Sequence, residues 1–243
     1  MPELQASSFN RVSLTLSDGT SFASVRGAAT GGQRSSIGSS FNAAVQIIKD
    51  AGRGAGTFRV RRGFLAFDTS GISGTVNSAT LSLTVSHASP DLPKMAVVRG
   101  TADGSSTAHF DSITGFNNSA TMDGNVTDLV GGTNATNFSG VSTNTTVTMT
   151  LNSTARGLLT SEDDLYIVLV SYEYDYLLVE PSTSGFFDVG LYGPSVGTTS
   201  YRPHIDYTEE TGYGNDVIGV DSGDISKVIG VATADINKVI GVD

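Results

Sequence analysis

The segment Ser171–Tyr176 reads SYEYDY, so Tyr172, Tyr174 and Tyr176 alternate with Glu173 and Asp175. In an extended strand successive side chains point to opposite faces, which predicts three phenol rings on one face. A row of rings beside carboxylates can stack sugar rings and hydrogen-bond their hydroxyls, because tyrosine joins an apolar body to a polar tip. Tyrosine is also a good strand former whose ring serves packing or a subunit interface. Tyr172, Tyr174, Tyr176, Glu173 and Asp175 are therefore the candidate glycan-binding set, with packing as the competing role.

Other chemistry-bearing residues are sparse. Neither a Walker loop nor an H-E-x-x-H helix motif occurs, and Gly52, Gly54 and Gly56 (GRGAG) suit a hairpin better than a dinucleotide loop. His87, His109 and His204 lie far apart in sequence, which predicts surface or hydrogen-bonded roles and no metal ligation. The carboxylates Glu162, Asp163 and Asp164, and Glu173 with Asp175, supply the pairs that a glycosidase needs. The first group precedes a strand within a turn, where a solvated role is usual. Asp123, Asn125 and Asp128 in MDGNVTD are oxygen donors, but their spacing completes no calcium loop. No catalytic residue, metal or cofactor is expected.

Composition narrows the setting. The 243 residues include no Cys, no Trp and 29 Gly, and they carry a net charge of −10. Without Cys there is no disulfide scaffold and no thiol chemistry. No apolar run approaches the ~18–20 residues of a membrane span. The first residues show no basic stretch leading into an apolar one, so no secretory signal is expected. Six N-x-S/T sequons then read as products of a chain rich in Asn, Ser and Thr. Residues 1–62 hold eight basic and three acidic side chains, and the acidic remainder argues against nucleic acid as a partner. Arg59, Arg61 and Arg62 are read as a solvated strand face.

The elements that would position these residues are strands. Arg11–Leu16, Ala79–Ser86 and Thr145–Leu151 alternate apolar and polar residues, and Phe58, Val60 and Arg62 alternate against Arg59 and Arg61 before the run through Phe67. Leu165–Val170 is apolar on both faces, as a doubly covered central strand should be. Val45–Ile48, Lys94–Val98, Phe186–Tyr192 and His204–Tyr207 add further strands, while Val126–Val130 and Ser153–Leu159 suit short helices. Short strands at this spacing predict an all-β, antiparallel β-sandwich over residues 1–208, with Leu81, Leu83, Val85, Val147, Met149, Ile167 and Leu169 in its core. Gly27–Ser40 is Gly/Ser-rich and reads as a long loop that orders against a partner surface.

The C-terminal segment 209–243 repeats. An 11-residue period brings back V-I-G-V at Val217–Val220, Val228–Val231 and Val239–Val242. A unit this small cannot bury its apolar face alone and must stack on copies of itself or on another chain. Gly inside each unit disfavours helix, which predicts extended segments separated by polar turns. Val217, Ile218, Val220, Val228, Ile229, Val231, Val239, Ile240 and Val242 are the candidate assembly residues, and a flexible tail is the alternative.

Arg61–Val85, RRGFLAFDTSGISGTVNSATLSLTV, resembles the signature of the DNRLRE-type, disaggregatase-related β-sandwich domains. Phe67, Asp68, Ser70 and Ile72 are similar to its first half, and Val76, Ser78, Ala79, Leu81 and Leu83 to its second. Arg202, Pro203, Ile205 and Tyr207 resemble the closing strand of such domains. The resemblance implies a jelly-roll-like sandwich and, weakly, carbohydrate or surface binding. Ile225–Val231 and Ile236–Val242 resemble I-x-K-V-x-G-V repeats at the ends of tailed-phage virion proteins, especially those of marine viruses. The first copy, with Gly214–Asp216 in place of I-x-K, departs from that pattern. Together these features predict a non-enzymatic virion structural protein, either a capsid decoration or head-fibre protein or a tail-associated one. Its expected partners are itself, with a trimer favoured, other virion proteins and a host surface polysaccharide. Its expected location is the particle, and the extracellular medium after lysis. A carbohydrate-binding module and a glycan-cleaving enzyme are the alternative readings.

Overall fold

A computed structural model describes residues 2–16, 20–39, 43–50, 57–88, 94–132, 134–138 and 140–210, together with Lys227–Val228 and Val231–Ala232. The body begins with β1 (Glu3–Gln5), β2 (Ser8–Leu16), the short helix α1 (Phe22–Arg26) and β3 (Gln33–Ser36). It continues through β4 (Ala43–Asp50), β5 (Thr57–Asp68), β6 (Val76–Ala88), β7 (Lys94–Arg99), β8 (Thr136–Asn137) and β9 (Thr146–Thr150). Helix α2 (Ser153–Ser161), β10 (Asp164–Ser171), β11 (Gly185–Leu191) and β12 (His204–Glu209) complete it. The architecture is an all-β antiparallel sandwich, as the period-2 patterning predicts.

One layer runs β1-β12-β6-β9 and the other runs β8-β7-β10-β5-β2-β3. Strand β11 pairs with both β4 and the end of β6, so the two layers are joined. A single apolar cluster fills the space between them, and it contains Leu81, Leu83, Val85, Met149, Ile167 and Leu169. Val147 is only partly buried against that cluster, because it lies on β9 at the margin of its layer. Ile167–Val170 on β10 are fully buried on both faces, as expected of a central strand flanked by β5 and β7.

Strand β5 organises the site described below. Along one edge it pairs with β2 from Phe58 to Ala66. Along the other it pairs with β4 from Thr57 to Arg61 and with β10 from Gly63 to Asp68. The sheet therefore forks at Arg62. Gly63 allows the close packing at that fork, where an added Cβ would lie 3.1 Å from the Phe9 ring and 3.3 Å from the Ala44 carbonyl.

Three expectations about local structure change. Gly27–Ser40 does not wait for a partner to order it, because Gln33–Ser36 pairs with β2 as an edge strand. Val126–Val130 is not helical; Asp128 and Val130 instead bridge to Val98 and Leu151. Ser153–Leu159 does form a helix; its cap Asn152 accepts from the Ala155 N–H through its side chain, and the helix buries Ala155, Leu158 and Leu159. The GRGAG segment lies outside the described residues.

Candidate functional site

Tyr172–Tyr176 is a π-helical turn rather than a strand, closed by the Leu177 N–H donating to the Tyr172 carbonyl at 3.0 Å. That geometry overturns the row of rings on one face. Tyr176 and Asp175 are buried, at 1% and 0% exposure, and cannot contact a polysaccharide. Tyr172 stacks on Tyr176 at 5.2 Å and lies beneath the Lys94 ammonium, while Tyr174 packs on Phe187 at 4.8 Å. Tyr172, Glu173 and Tyr174 remain partly exposed. Burial raises the Glu173 carboxyl above its ordinary value, with the Lys94 charge among the opposing influences.

Asp175 faces inward and meets Arg62 from the fork in β5. Arg62 Nε donates to Asp175 Oδ2 at 2.7 Å and Nη2 donates to Oδ1 at 2.9 Å, a bidentate pair. The remaining donors of Arg62 reach the Phe110 carbonyl at 2.7 Å and the Arg26 carbonyl at 2.8 Å. Arg26, the last residue of α1, donates from Nε to the Asp175 carbonyl at 3.1 Å and lies 3.3 Å from Oδ1. Its Nη1 donates to the Asn117 carbonyl at 2.9 Å. The Phe116 ring stacks against both guanidiniums, and Phe110 against that of Arg62. Two buried cations thus share one buried anion. Desolvation lowers the Arg26 pKa, Asp175 opposes that shift and Arg62 reinforces it.

The reading of Arg62 as a solvated residue is therefore wrong, and its alternation with Phe58 and Val60 was the signal that it faces the core. Arg59 and Arg61 point the other way. Arg59 donates to Thr15 Oγ1, and the Arg61 pKa falls to about 10, through burial and then the charges of Arg11 and Arg59. A second polar knot lies beyond the π turn. The Tyr176 hydroxyl donates to the Asp128 carboxylate at 2.9 Å, and Asn134 Nδ2 donates to the same carboxylate at 2.7 Å. Burial and the Asp128 charge raise the Tyr176 pKa strongly, so the phenol keeps its proton. Asp128 is thereby committed within the fold, while Asn125 Nδ2 donates to the Thr121 and Asp123 carbonyls.

The carboxylates proposed for glycoside cleavage are dispersed among structural contacts. Glu162 pairs with Arg99 at 2.8 Å, and Asp164 accepts from the Tyr166 hydroxyl at 3.3 Å. Residues Gly193–Gly197 (GPSVG) fit the letters G-x-S-x-G, but they follow β11 in a turn with Gly193 and Val196 buried and do not lead from a strand into an α-helix. In the motif resembling DNRLRE domains, the Asp68 carboxylate accepts from Ser70 Oγ at 2.6 Å and from its N–H at 3.1 Å. Ile72, Ala79, Leu81, Leu83 and Ile205 are buried in the core. These positions serve the turn and the sandwich.

Each histidine has a carboxylate nearby. His87 lies 3.7 Å from Asp188 and His109 lies 3.4 Å from Asp103. His204 has two such neighbours: among the described residues, Glu3, His204 and Asp206 bring their ligand atoms within 4.8 Å of one another. A surface pocket of about 470 Å³ opens between α1 and the end of the π turn, lined by Ala23, Ser24, Gly27, Asn118, Ser119 and Leu178. Leu178 holds φ +57°, a conformation that a γ-branched residue seldom adopts. In the tail, Lys227–Val228 and Val231–Ala232 pair antiparallel with Val228 opposite Val231. This pairing falls within the second V-I-G-V unit. Val217, Ile218, Val220, Ile229, Val239, Ile240 and Val242 lie outside the described residues.

No protein-family model matches the chain, and no curated protein sequence matches it.

Proposed function

We propose that the chain is a non-enzymatic structural protein of a tailed-phage particle, with the sandwich as its displayed body and the repeat segment as its means of assembly. The observation that carries this reading is the threefold V-I-G-V repeat behind an independently packed body. Its second copy forms a ladder of two residues per strand, far too short to persist alone in water. Copies of such a unit gain stability by stacking on equivalent units, which favours a symmetric homo-oligomer such as a trimer, or seating on other virion proteins. The resemblance of the repeats to tailed-phage sequences supports a place on the particle surface or tail, and release into the medium on lysis. The experiment is to purify particles and count copies of the full chain and of a chain truncated after Thr211. Full-length protein on the particle and loss of the truncated form are expected; equal incorporation of both refutes the assembly role.

A second reading, recognition of a surface polysaccharide, is supported by the pocket beside the π turn. Its Ser24, Asn118 and Ser119 side chains suit hydroxyl groups, and the partly exposed Tyr172 and Tyr174 lie a few residues before its Leu178 in sequence. Tyr172→Ala with Tyr174→Ala is expected to abolish retention on host polysaccharide while the fold survives. Equal retention by parent and variant removes this reading.

A further inference from the structure

We propose that Glu3, His204 and Asp206 form a zinc site that clamps the first strand of the sandwich onto its last. Strands β1 and β12 pair with Glu3 opposite Asp206 and Gln5 opposite His204. Side chains two apart on a strand share a face, so all four project from one side of this two-strand edge. The ligand atoms of Glu3, His204 and Asp206 lie within 4.8 Å of one another, and His204 Nε2 is 3.4 Å from Asp206 Oδ2. Tetrahedral zinc with bonds of about 2.0–2.1 Å sets its ligands about 3.3–3.5 Å apart. The His204–Asp206 spacing already meets that value, and exposed Glu3 can close the rest by side-chain rotation.

The surroundings prepare the donors. His204 Nδ1 lies 2.8 Å from the Arg202 carbonyl, which can only accept, so Nδ1 donates there and Nε2 is the nitrogen turned toward the carboxylates. Gln5 Nε2 donates to Glu3 Oε1 at 2.9 Å, and Arg202 Nη1 donates to Gln5 Oε1 at 3.4 Å, a chain that orients the Glu3 carboxylate. An imidazole nitrogen with two carboxylate oxygens selects zinc over calcium and magnesium, which prefer oxygen alone and in larger number. Water completes the tetrahedron. No third ligand joins the His87–Asp188 or His109–Asp103 pair among the described residues.

The site lies where a clamp has an effect. Strand β1 spans three residues, pairs among the described residues only with β12 and covers an edge that otherwise stays open to another strand. Strand β12 leads directly into the repeat segment. Zinc held across both strands couples metal binding to their pairing.

The test uses the full chain, stripped with EDTA and titrated with zinc chloride in a calorimeter. About one zinc per chain is expected, with a Kd of ~1 µM or tighter. At a hundredfold excess over Kd the Tm should rise by about 5–10 °C, and EDTA should reverse it. Cobalt(II) should give the visible bands of a tetrahedral centre. His204→Ala and Glu3→Gln should each weaken zinc affinity at least tenfold while leaving the metal-free circular dichroism unchanged. Glu3 is exposed, so its variant keeps the test valid if His204→Ala fails to fold. Absence of zinc stabilisation, stabilisation by calcium equal to that by zinc, or undiminished affinity in Glu3→Gln would each overturn the proposal.

Discussion

Asp175 carries the interior electrostatics of this protein. A lone carboxylate holds two guanidiniums that have no access to water, and nearby carbonyls absorb most of their other donors. Asp175→Asn keeps the volume and removes the charge, leaving two buried cations uncompensated. A loss of about 3–5 kcal/mol is expected in urea denaturation, and a loss below 1 kcal/mol contradicts this account. Asp128 gives the fold a pH signature. Burial raises its carboxyl pKa, against the pull of Tyr176 and Asn134. The folded protein then binds that proton more tightly than the unfolded chain does. The associated stability is present at low pH and is lost as pH rises from about 4, the ordinary carboxylate value, through the raised folded value. Asp128→Asn should flatten that decline relative to the parent in denaturation midpoints measured across this range. An unchanged slope would remove Asp128 as its source.

At the scale of elements, the strands were legible because apolar and polar residues alternate with the pleat. Leu81, Leu83 and Val85 share one side of β6, and that side is the core. Leu83→Ala is expected to lower stability by ~2–5 kcal/mol, since Leu83 is wholly buried; an unchanged denaturation midpoint contradicts its place in the core. The same alternation failed at SYEYDY, where a strand period written in sequence was overruled by a π turn. Bending there lets Asp175 reach Arg62, a pairing across 113 residues that local periodicity cannot register. The fork in β5 opens space for that guanidinium, and the fork comes from β4 and β10 arriving on the same edge.

For the whole molecule, body and repeat segment are expected to separate in function. Truncation after Thr211 should leave the Tm of the sandwich unchanged while the solution mass falls to that of a monomer. A truncated chain with the parent's mass places the oligomer contacts in the body instead. The sequence by itself determined the all-β class, most strand positions, the buried faces of the central strands and the repeat, because each rests on patterns spanning a few residues. Only the tertiary structure decided which polar residues meet. Arg26, Arg62 and Asp175 converge from a helix end, a strand fork and a turn, and Glu3 joins His204 and Asp206 across 201 residues of chain. Such encounters depend on strand order and register, which follow from the simultaneous packing of the whole core and not from any local period.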